Sequence, residues 1–180
     1  MSMQDDIPGY TADTWVIDSA RSTAVFEARL MGLATVRGNF TDFEGTIVTA
    51  KNPLDSSVDA VIRTTSVNTG VTRRDNHLRE NDFFGVKQHP TIAFTSKKVR
   101  TEGDNFLVDG DLTIHSVTKE VTLNLEVGAV EFGAGGEQTA KFSARTELDR
   151  TDYGVTGGMS SPFIGKKVGV VLTIVAGKQN

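Results

Sequence analysis

Cysteine is absent from this chain of 180 residues. Disulfide bonds, cysteine-ligated zinc, iron–sulfur clusters and thiolate nucleophiles are therefore excluded. No run of apolar residues approaches the length of about 18 that a membrane-spanning helix needs. Residues 1–8 also lack the basic start and the apolar stretch of a secretory signal. We therefore expect a cytoplasmic protein that does not insert stably into a membrane.

The chain also lacks a strong excess of either charge. Its 19 basic residues face 23 acidic ones, so that the formal net charge is −4 at pH 7. A nucleic-acid-binding surface carries a basic excess, and we therefore expect no nucleic-acid partner. His77, His89 and His115 lie far apart in the sequence and in different predicted elements, whereas zinc ligands usually occur in close pairs. No metal site is predicted.

Apolar and polar residues alternate with a period of two along most of the chain, and helical spacing is rare. In the clearest case, one face carries Ala24, Phe26, Ala28 and Leu30. Successive side chains of a strand point to opposite sides of a sheet, so each such segment offers one apolar face and one polar face. Several apolar faces in one domain must close on one another. The pattern therefore predicts an all-β fold, either a β-sandwich or a barrel.

One segment does not follow this pattern. Between residues 72 and 87 the chain is charged and polar and does not alternate, and we predict a short helix near residues 73–80. The predicted strands elsewhere follow one another through short links. Short links favour an up-and-down antiparallel meander over βαβ units, which would need helical segments between the strands.

The sequence divides into a tail and one domain. Residues 1–12 are predicted to form a flexible tail, and residues 13–177 to form a single domain. Within this domain we expect one long strand from Val36 to Ala50. Gly38 and Gly45 interrupt that strand and are expected to bend it, as the closure of a sheet requires.

A closed barrel of about eight strands either fills with its own side chains or holds one small ligand. The predicted inward positions mix phenylalanine with alanine and glycine, and the small residues are expected to leave space along the lumen. We therefore predict a ligand-binding cavity, with a fully packed core as the alternative. The residues predicted to line it are Ala24, Phe26, Ala28, Leu30, Phe40, Phe43, Ala60, Ile62, Phe94, Phe106, Val108, Leu112, Leu123, Leu125 and Phe142.

The segment 73–84 is dense in charged, histidine and aromatic side chains. One interpretation is a lid, in which Leu78 and two phenylalanines cap one end of the barrel. The other is direct contact with the polar head group of a ligand. Both interpretations place the segment at the barrel mouth. The candidates for the mouth and the head-group contact are Arg74, Asp75, His77, Phe83 and Phe84.

Several different short motifs follow one another along the chain in a characteristic order. They are Trp15-Val16-Ile17-Asp18; Val36-Arg37-Gly38-Asn39-Phe40; Phe43-Glu44-Gly45; Thr69 with Arg74-Asp75-Asn76-His77-Leu78; Asp82-Phe83-Phe84 with Pro90, Phe94 and Ser96; Gly110-Asp111-Leu112-Thr113-Ile114-His115 with Val117-Thr118-Lys119; and Arg150 with Asp152-Tyr153-Gly154. Together they resemble the YceI-like family of lipid- and polyisoprenoid-binding proteins. The likeness runs from about residue 13 to residue 176.

The resemblance implies an extended, eight-stranded antiparallel barrel of the lipocalin type that encloses a long isoprenoid. It implies no chemical step and no required cofactor, and the expected guest is a prenylquinone or a polyprenyl lipid. Family members often carry histidines near the positions of Arg21 and Leu30, and a glycine where Ser116 stands. An inward Leu30 makes this interior more apolar than that of such relatives.

The favoured function is the non-catalytic binding, storage or transport of a polyisoprenoid or a similar long amphiphilic lipid. The alternative is an isomerase or hydratase acting on a lipophilic substrate in the same cavity. It needs a buried ionisable side chain, which the predicted inward positions do not supply, and no nucleophile elbow surrounds Ser160 and Ser161. A scaffold with a packed core is a third hypothesis. The lipid is the expected partner, and a homodimer is left open.

Overall fold

The computed structural model describes residues 7–125, 130–133 and 138–179. These residues form twelve β-strands and one α-helix, so the all-β class is confirmed. None of the described helices is long and apolar enough to cross a bilayer. Residues 1–6, the start of the expected flexible tail, lie outside the described residues. The strands are β1 (Thr14–Ile17), β2 (Thr23–Leu30), β3 (Ala34–Phe40), β4 (Phe43–Val48), β5 (Ser57–Arg63), β6 (Val67–Asn68), β7 (Thr91–Glu102), β8 (Asn105–Ile114), β9 (Val117–Leu125), β10 (Val130–Phe132), β11 (Thr139–Asp149) and β12 (Ile164–Lys178), and the helix α1 spans Thr72–Leu78.

The described strands join into one closed antiparallel barrel of eight, as the resemblance implies. Four of the eight consist of two segments that lie end to end: β1 with β2, β3 with β4, β5 with β6, and β9 with β10. Each barrel strand pairs with its neighbour in the sequence, which gives the expected up-and-down order. β12 pairs with β11 on one side and with β1 and β2 on the other, so the sheet closes on itself.

The continuous strand expected from Val36 to Ala50 is wrong, because it is interrupted at Thr41 and Asp42 between β3 and β4. Phe40 and Phe43 are both buried. Side chains three residues apart cannot face the same side of one regular strand. The interruption therefore lets both rings enter the interior, with β3 beside β2 and β4 beside β1.

Aromatic side chains cover the end of the barrel at which β1 begins. The indole Nε1 of Trp15 donates to the hydroxyl of Thr49 at 2.9 Å, and its ring meets that of Phe132 edge-on with centroids 5.4 Å apart. Tyr10 meets the same phenylalanine at 5.1 Å, and its hydroxyl donates to the Ala50 carbonyl at 2.5 Å. Tyr10 is thus buried against the barrel, although it lies within the stretch expected to be a tail.

The opposite end is covered by a lid, defined here as residues 72–90, which contains the expected helix as α1. The buried carboxylate of Asp75 accepts hydrogen bonds from the backbone N–H and the hydroxyl of Thr69, at 2.7 and 2.6 Å. Arg79 donates to the Val67 carbonyl at 3.1 Å. These bonds tie the lid to the residues that precede it in the chain.

A turn between β8 and β9 holds the far end of the lid. Its two residues, His115 and Ser116, have φ of 57° and 63°, which is typical of a type I′ hairpin turn. The ring of His115 lies against that of His89 in the lid, with centroids 4.1 Å apart, and Nδ1 of His89 pairs with the Ser116 hydroxyl at 2.9 Å. Burial, and then the charge of His89, lowers the pKa of His115.

Arg150 organises the irregular connection between β11 and β12. Its side chain is buried, at 7% exposure. Irregular backbone leaves carbonyl groups without ladder partners, and a planar cation with several N–H donors satisfies them. The accepting carbonyls belong to Val155 (2.9 Å), Thr156 (2.7 Å), Ser161 (3.2 Å), Ile164 (2.9 Å) and Gly165 (3.1 Å).

Replacement of Arg150 by lysine should destabilise the protein. A lysine ammonium is a point charge and cannot span the same set of carbonyls, so several buried carbonyl groups lose their partner. We expect Arg150→Lys to lower the free energy of unfolding by about 2–4 kcal/mol in urea denaturation. The exposed Arg145 on β11 is the matched control, and Arg145→Lys should change stability by less than about 0.5 kcal/mol. Equal stabilities for the two variants would contradict the assignment.

From the contact between His89 and His115 we expect the protein to lose stability in mild acid. The folded protein keeps His115 neutral at a pH where the unfolded chain, with an ordinary pKa near about 6.5, takes up a proton. The free energy of unfolding should therefore fall as the pH decreases from about 7.5 through this value towards the lower pKa of the folded state.

The measurement is urea denaturation at a series of pH values. Asparagine tolerates the positive φ of this position, so His115→Asn should keep the turn and reduce the pH dependence. His77→Asn is the control, because it leaves the pair of stacked histidines in place and should retain the part of the slope that comes from His115. Identical pH profiles for wild type and His115→Asn would show that the pair does not affect stability.

Candidate ligand cavity

The barrel encloses a cavity of about 700 Å³ whose wall reaches from the aromatic residues beside Trp15 to the lid. Cavities of about 300–1,000 Å³ are typical of small-molecule sites. The wall consists mainly of apolar side chains from the barrel strands. The interior is therefore not filled by its own side chains, and the packed-core alternative is not supported.

Every position predicted to line the cavity lies on its wall. Parity along the strand is sufficient to find most of these residues, because a closed sheet has one inner face and successive side chains alternate across it. Phe40 and Phe43 are the exception, since they lie three residues apart and the strand is interrupted between them. Their contact with a ligand stays a prediction. The residues are Ala24, Phe26, Ala28, Leu30, Phe40, Phe43, Ala60, Ile62, Phe94, Phe106, Val108, Leu112, Leu123, Leu125 and Phe142.

Small residues were expected to leave space along the lumen, but two glycines on the barrel strands do not. A Cβ added to Gly38 would lie 2.5 Å from Cζ of Phe26, and one added to Gly110 would lie 2.5 Å from Cζ of Phe94. The space above each glycine is thus occupied by a neighbouring aromatic ring. Because the glycine lacks a side chain, the ring can lie against the backbone instead of projecting into the lumen. The glycines leave no open space of their own, but they allow large side chains to line the wall.

Most of the mouth candidates also lie on the wall. Asp75 does not, and its carboxylate is engaged by Thr69. The ring of His77 meets that of Phe83 edge-on with centroids 4.9 Å apart. Phe84 packs edge-on against Phe40 at 5.4 Å, inside the barrel. The mouth candidates that line the cavity are Arg74, His77, Phe83 and Phe84.

The ionisable groups on the wall are cations and hydrogen-bond donors. Among the described residues, no aspartate or glutamate lines the cavity, and no group of three or more His, Cys, Asp or Glu side chains is placed to hold a metal ion. The wall therefore offers no carboxylate that could act as a general base. The ionisable side chains that line it are Tyr10, Arg29, Arg74, His77, Arg150 and Tyr153.

Arg150 and Tyr153 are wall residues that the alternation did not identify. Tyr153 is 2% exposed, and its buried hydroxyl has no hydrogen-bond partner in the described part of the chain. Burial, and then the charge of Asp152, raises the pKa of this phenol. Both wall residues lie in the irregular connection between β11 and β12, where no regular period shows which side chain turns inward. The available signal was the motif around Arg150, to which the resemblance assigned no role.

The cavity reaches the surface beside the lid. Met31, in the β2–β3 turn, and Phe163, just before β12, both line the cavity and are both exposed. The backbone N–H of Met31 donates to the Phe163 carbonyl at 2.6 Å, which joins the two segments. Leu33 and Met159 are almost fully exposed next to them in the sequence, at 94% and 95%. Met31 and Phe163 therefore give this opening an exposed apolar rim.

Known structures share this architecture. BcnA from Burkholderia cenocepacia superposes with a TM-score of 0.77 and 21% identity, over 88% of this chain and 98% of that one. A polyisoprenoid binding domain from Saccharophagus degradans superposes with a TM-score of 0.68 and 18% identity, over 94% of this chain and 100% of that one. At these identities the likeness shows the fold.

Sequence comparison gives the family. Protein YceI of Escherichia coli O6:H1 (strain CFT073) is 37% identical over 131 residues, which cover 72% of this chain and 69% of that protein. The family model of the YceI-like domain matches residues 15–176, nearly the whole barrel. The chain therefore belongs to the YceI-like domain family.

Proposed function

We propose that the protein binds a polyisoprenoid, or a similar long amphiphilic lipid, in the barrel cavity and stores or transports it without a chemical step. The observation that carries this proposal is the cavity of about 700 Å³ with its apolar wall. A protein of the same fold is described as a polyisoprenoid binding domain, which supports this class of guest. The cytoplasmic location and the homodimer stay predictions from the sequence.

Burial of hydrocarbon supplies the affinity. A prenyl tail that loses on the order of 400 Å² of exposed surface gains about 10 kcal/mol, at roughly 25 cal/mol per Å², before the cost of association. No charged contact is needed to hold the tail. The polar head then decides which lipid is preferred, because an apolar wall cannot distinguish one prenyl chain from another of equal length.

The volume limits the length of the chain. One five-carbon isoprene unit occupies on the order of 100 Å³ at the packing density of protein interiors. The cavity of about 700 Å³ therefore suits a chain of several units. A longer chain would extend through the opening beside Met31 and Phe163, where the exposed apolar rim can receive it.

The distribution of polar groups favours one orientation of the lipid. At the Trp15 end, the polar side chains of the wall are already engaged: the Thr49 hydroxyl donates to the Thr11 carbonyl at 2.7 Å, and Tyr10 donates to Ala50. At the lid end, the nitrogen-bearing side chains of Arg74 and His77 line the cavity, and Arg74 also donates to the hydroxyl and the carbonyl of Thr69, at 2.8 and 3.1 Å. We therefore place the head group beneath the lid and the end of the tail near Trp15.

The isomerase or hydratase alternative has no specific observation in its favour. General acid–base chemistry needs a titratable group positioned beside the reacting atom. No described Asp or Glu side chain lines the cavity, and the ring of His77 is packed against Phe83. Tyr153 puts a buried ionisable group on the wall, but the raised pKa of this phenol keeps it protonated and unable to act as a base at neutral pH. The wall is suited to holding a guest rather than to transforming it.

Identification of the lipid that accompanies the purified protein tests the proposal directly. We expect native mass spectrometry to show a lipid-bound species, and organic extraction to release a molecule with an isoprenoid chain. Delipidated protein should melt at a higher temperature after a prenylquinone is added, because a guest that binds only the folded barrel stabilises it. A ligand-free spectrum, together with no thermal shift for prenylquinones or polyprenyl phosphates, would overturn the proposal.

Ala60 on β5 offers a steric test of the lumen. Ala60→Trp should project an indole into the open space, reduce prenylquinone affinity at least about tenfold, and change the melting temperature little. In a filled interior the same change would overpack the core and cost about 1–3 kcal/mol. Val61, the next residue, is absent from the cavity wall that Ala60 and Ile62 line and points to the opposite face of the sheet, so Val61→Trp is the matched control and should bind normally. Unchanged binding by Ala60→Trp is the result that would contradict the cavity assignment.

A further inference from the structure

The Tyr153 hydroxyl is the polar atom that the fold leaves unused on the cavity wall. Of the described residues, three have a buried side-chain nitrogen or oxygen without a hydrogen-bond partner: Arg63, Asn124 and Tyr153. Among these three, Tyr153 is the one that lines the cavity. A buried hydroxyl without a partner is destabilising, and native proteins keep few of them.

The neighbours of Tyr153 do not supply an acceptor. The residue packs in an apolar cluster with Phe83 of the lid and Val155 of the β11–β12 connection. The partly buried hydrophobic side chains that pack against this cluster are Leu78, Leu112, Ile114, Val117, Val121 and Ile164. Because no atom of the described residues accepts from this hydroxyl, a molecule in the cavity can supply the oxygen acceptor.

Arg150 lies in the same connection between β11 and β12 and also lines the cavity. Its hydrogen bonds go to neutral oxygen atoms, with no carboxylate within ion-pair distance among the described residues. The charge that acts on Tyr153 is that of Asp152, which is exposed to solvent. The preference for an oxygen acceptor therefore rests on the unpaired O–H of the tyrosine and not on this cation.

The protonation state of the tyrosine agrees with a role as hydrogen-bond donor. Burial raises the pKa of Tyr153, and the charge of Asp152 raises it further. The phenol is therefore protonated at neutral pH and available as a donor.

We propose that the Tyr153 hydroxyl donates the hydrogen bond that selects the head group of the bound lipid, and that this head group presents an oxygen acceptor. A quinone carbonyl and the phosphate oxygen of a polyprenyl phosphate share this chemistry. The inference rests on the proposed function, since it assigns the head-group subsite of the same cavity. Phe83 connects this subsite to the mouth, because its ring packs on Tyr153 and on His77.

The test is the binding of three probes to wild-type protein and to Tyr153→Phe, with delipidated protein and by fluorescence or calorimetry. The probes are a prenylquinone, a polyprenyl phosphate of similar chain length, and squalene, which has the hydrocarbon but no head. We expect Tyr153→Phe to weaken binding of at least one headed probe about tenfold and to leave squalene affinity unchanged. The headed probe that loses affinity identifies the acceptor.

The ligand-free variant provides a second readout. Phenylalanine keeps the ring and removes only the hydroxyl that lacks a partner, so the melting temperature of Tyr153→Phe without ligand should equal or exceed that of the wild type. Tyr10→Phe is the matched control, because Tyr10 also lines the cavity but already donates to the Ala50 carbonyl at 2.5 Å. It should lose stability and keep the wild-type ratio of headed-probe to squalene affinity.

Two outcomes would overturn the inference while leaving the proposed function intact. One is unchanged affinity of Tyr153→Phe for both headed probes. The other is an equal loss of affinity for all three, which would mean that the substitution alters the wall rather than a hydrogen bond. Failure of the wild-type protein to bind any probe, squalene included, would instead overturn the proposed function itself.

Discussion

Hydrogen bonds from β12 to β11 along one edge, and to β1 and β2 along the other, close the sheet. The 15 residues of β12 are needed for this because the facing strand is interrupted at residues 18–22. Ser22 bridges the interruption: its hydroxyl donates to the Asp18 carbonyl at 2.6 Å and accepts from the backbone N–H of Val175 at 2.9 Å. Closure gives the alternating strands one shared interior, and it removes the free edges that would otherwise invite pairing with other chains.

The closure of the sheet by β12 also explains why the interior stays open. In most domains the core elements move together until the side chains fill the space, because voids forfeit dispersion contacts. In a closed barrel the number of strands and their stagger fix the radius, so the wall cannot collapse onto a void. The rings of Phe26 and Phe94 lie over Gly38 and Gly110, which keeps their bulk against the wall. A hydrocarbon guest restores contacts that the protein cannot make with itself.

Alternation was sufficient to predict most of the barrel wall, because an inward position depends on parity within its own strand. It could not predict a break within a strand or a contact between residues distant in the sequence. The interruption at Thr41 and Asp42 allows two phenylalanines three residues apart to be buried together, and the contact between His89 and His115 arises when the lid meets the β8–β9 turn. Tyr153 lies in the irregular β11–β12 connection, whose backbone carbonyl groups are bound by Arg150. The sequence pattern thus located the apolar wall but not the polar group on it.

The contrast between the two tyrosines of the wall shows where stability and function separate. Tyr10 uses its hydroxyl to fasten residues near the start of the described chain to the Ala50 carbonyl, so its polar atom contributes to folding. Tyr153 is more deeply buried and gains nothing comparable from its hydroxyl, since a phenylalanine of the same shape would fill the site without an unsatisfied donor. A buried polar atom that costs stability in the empty protein is accounted for when the partner is a molecule that the protein takes up. In the proposed function the apolar wall supplies affinity for any hydrocarbon of suitable length, and the unpaired phenol supplies discrimination, because only a guest with an oxygen acceptor at the lid end removes its cost.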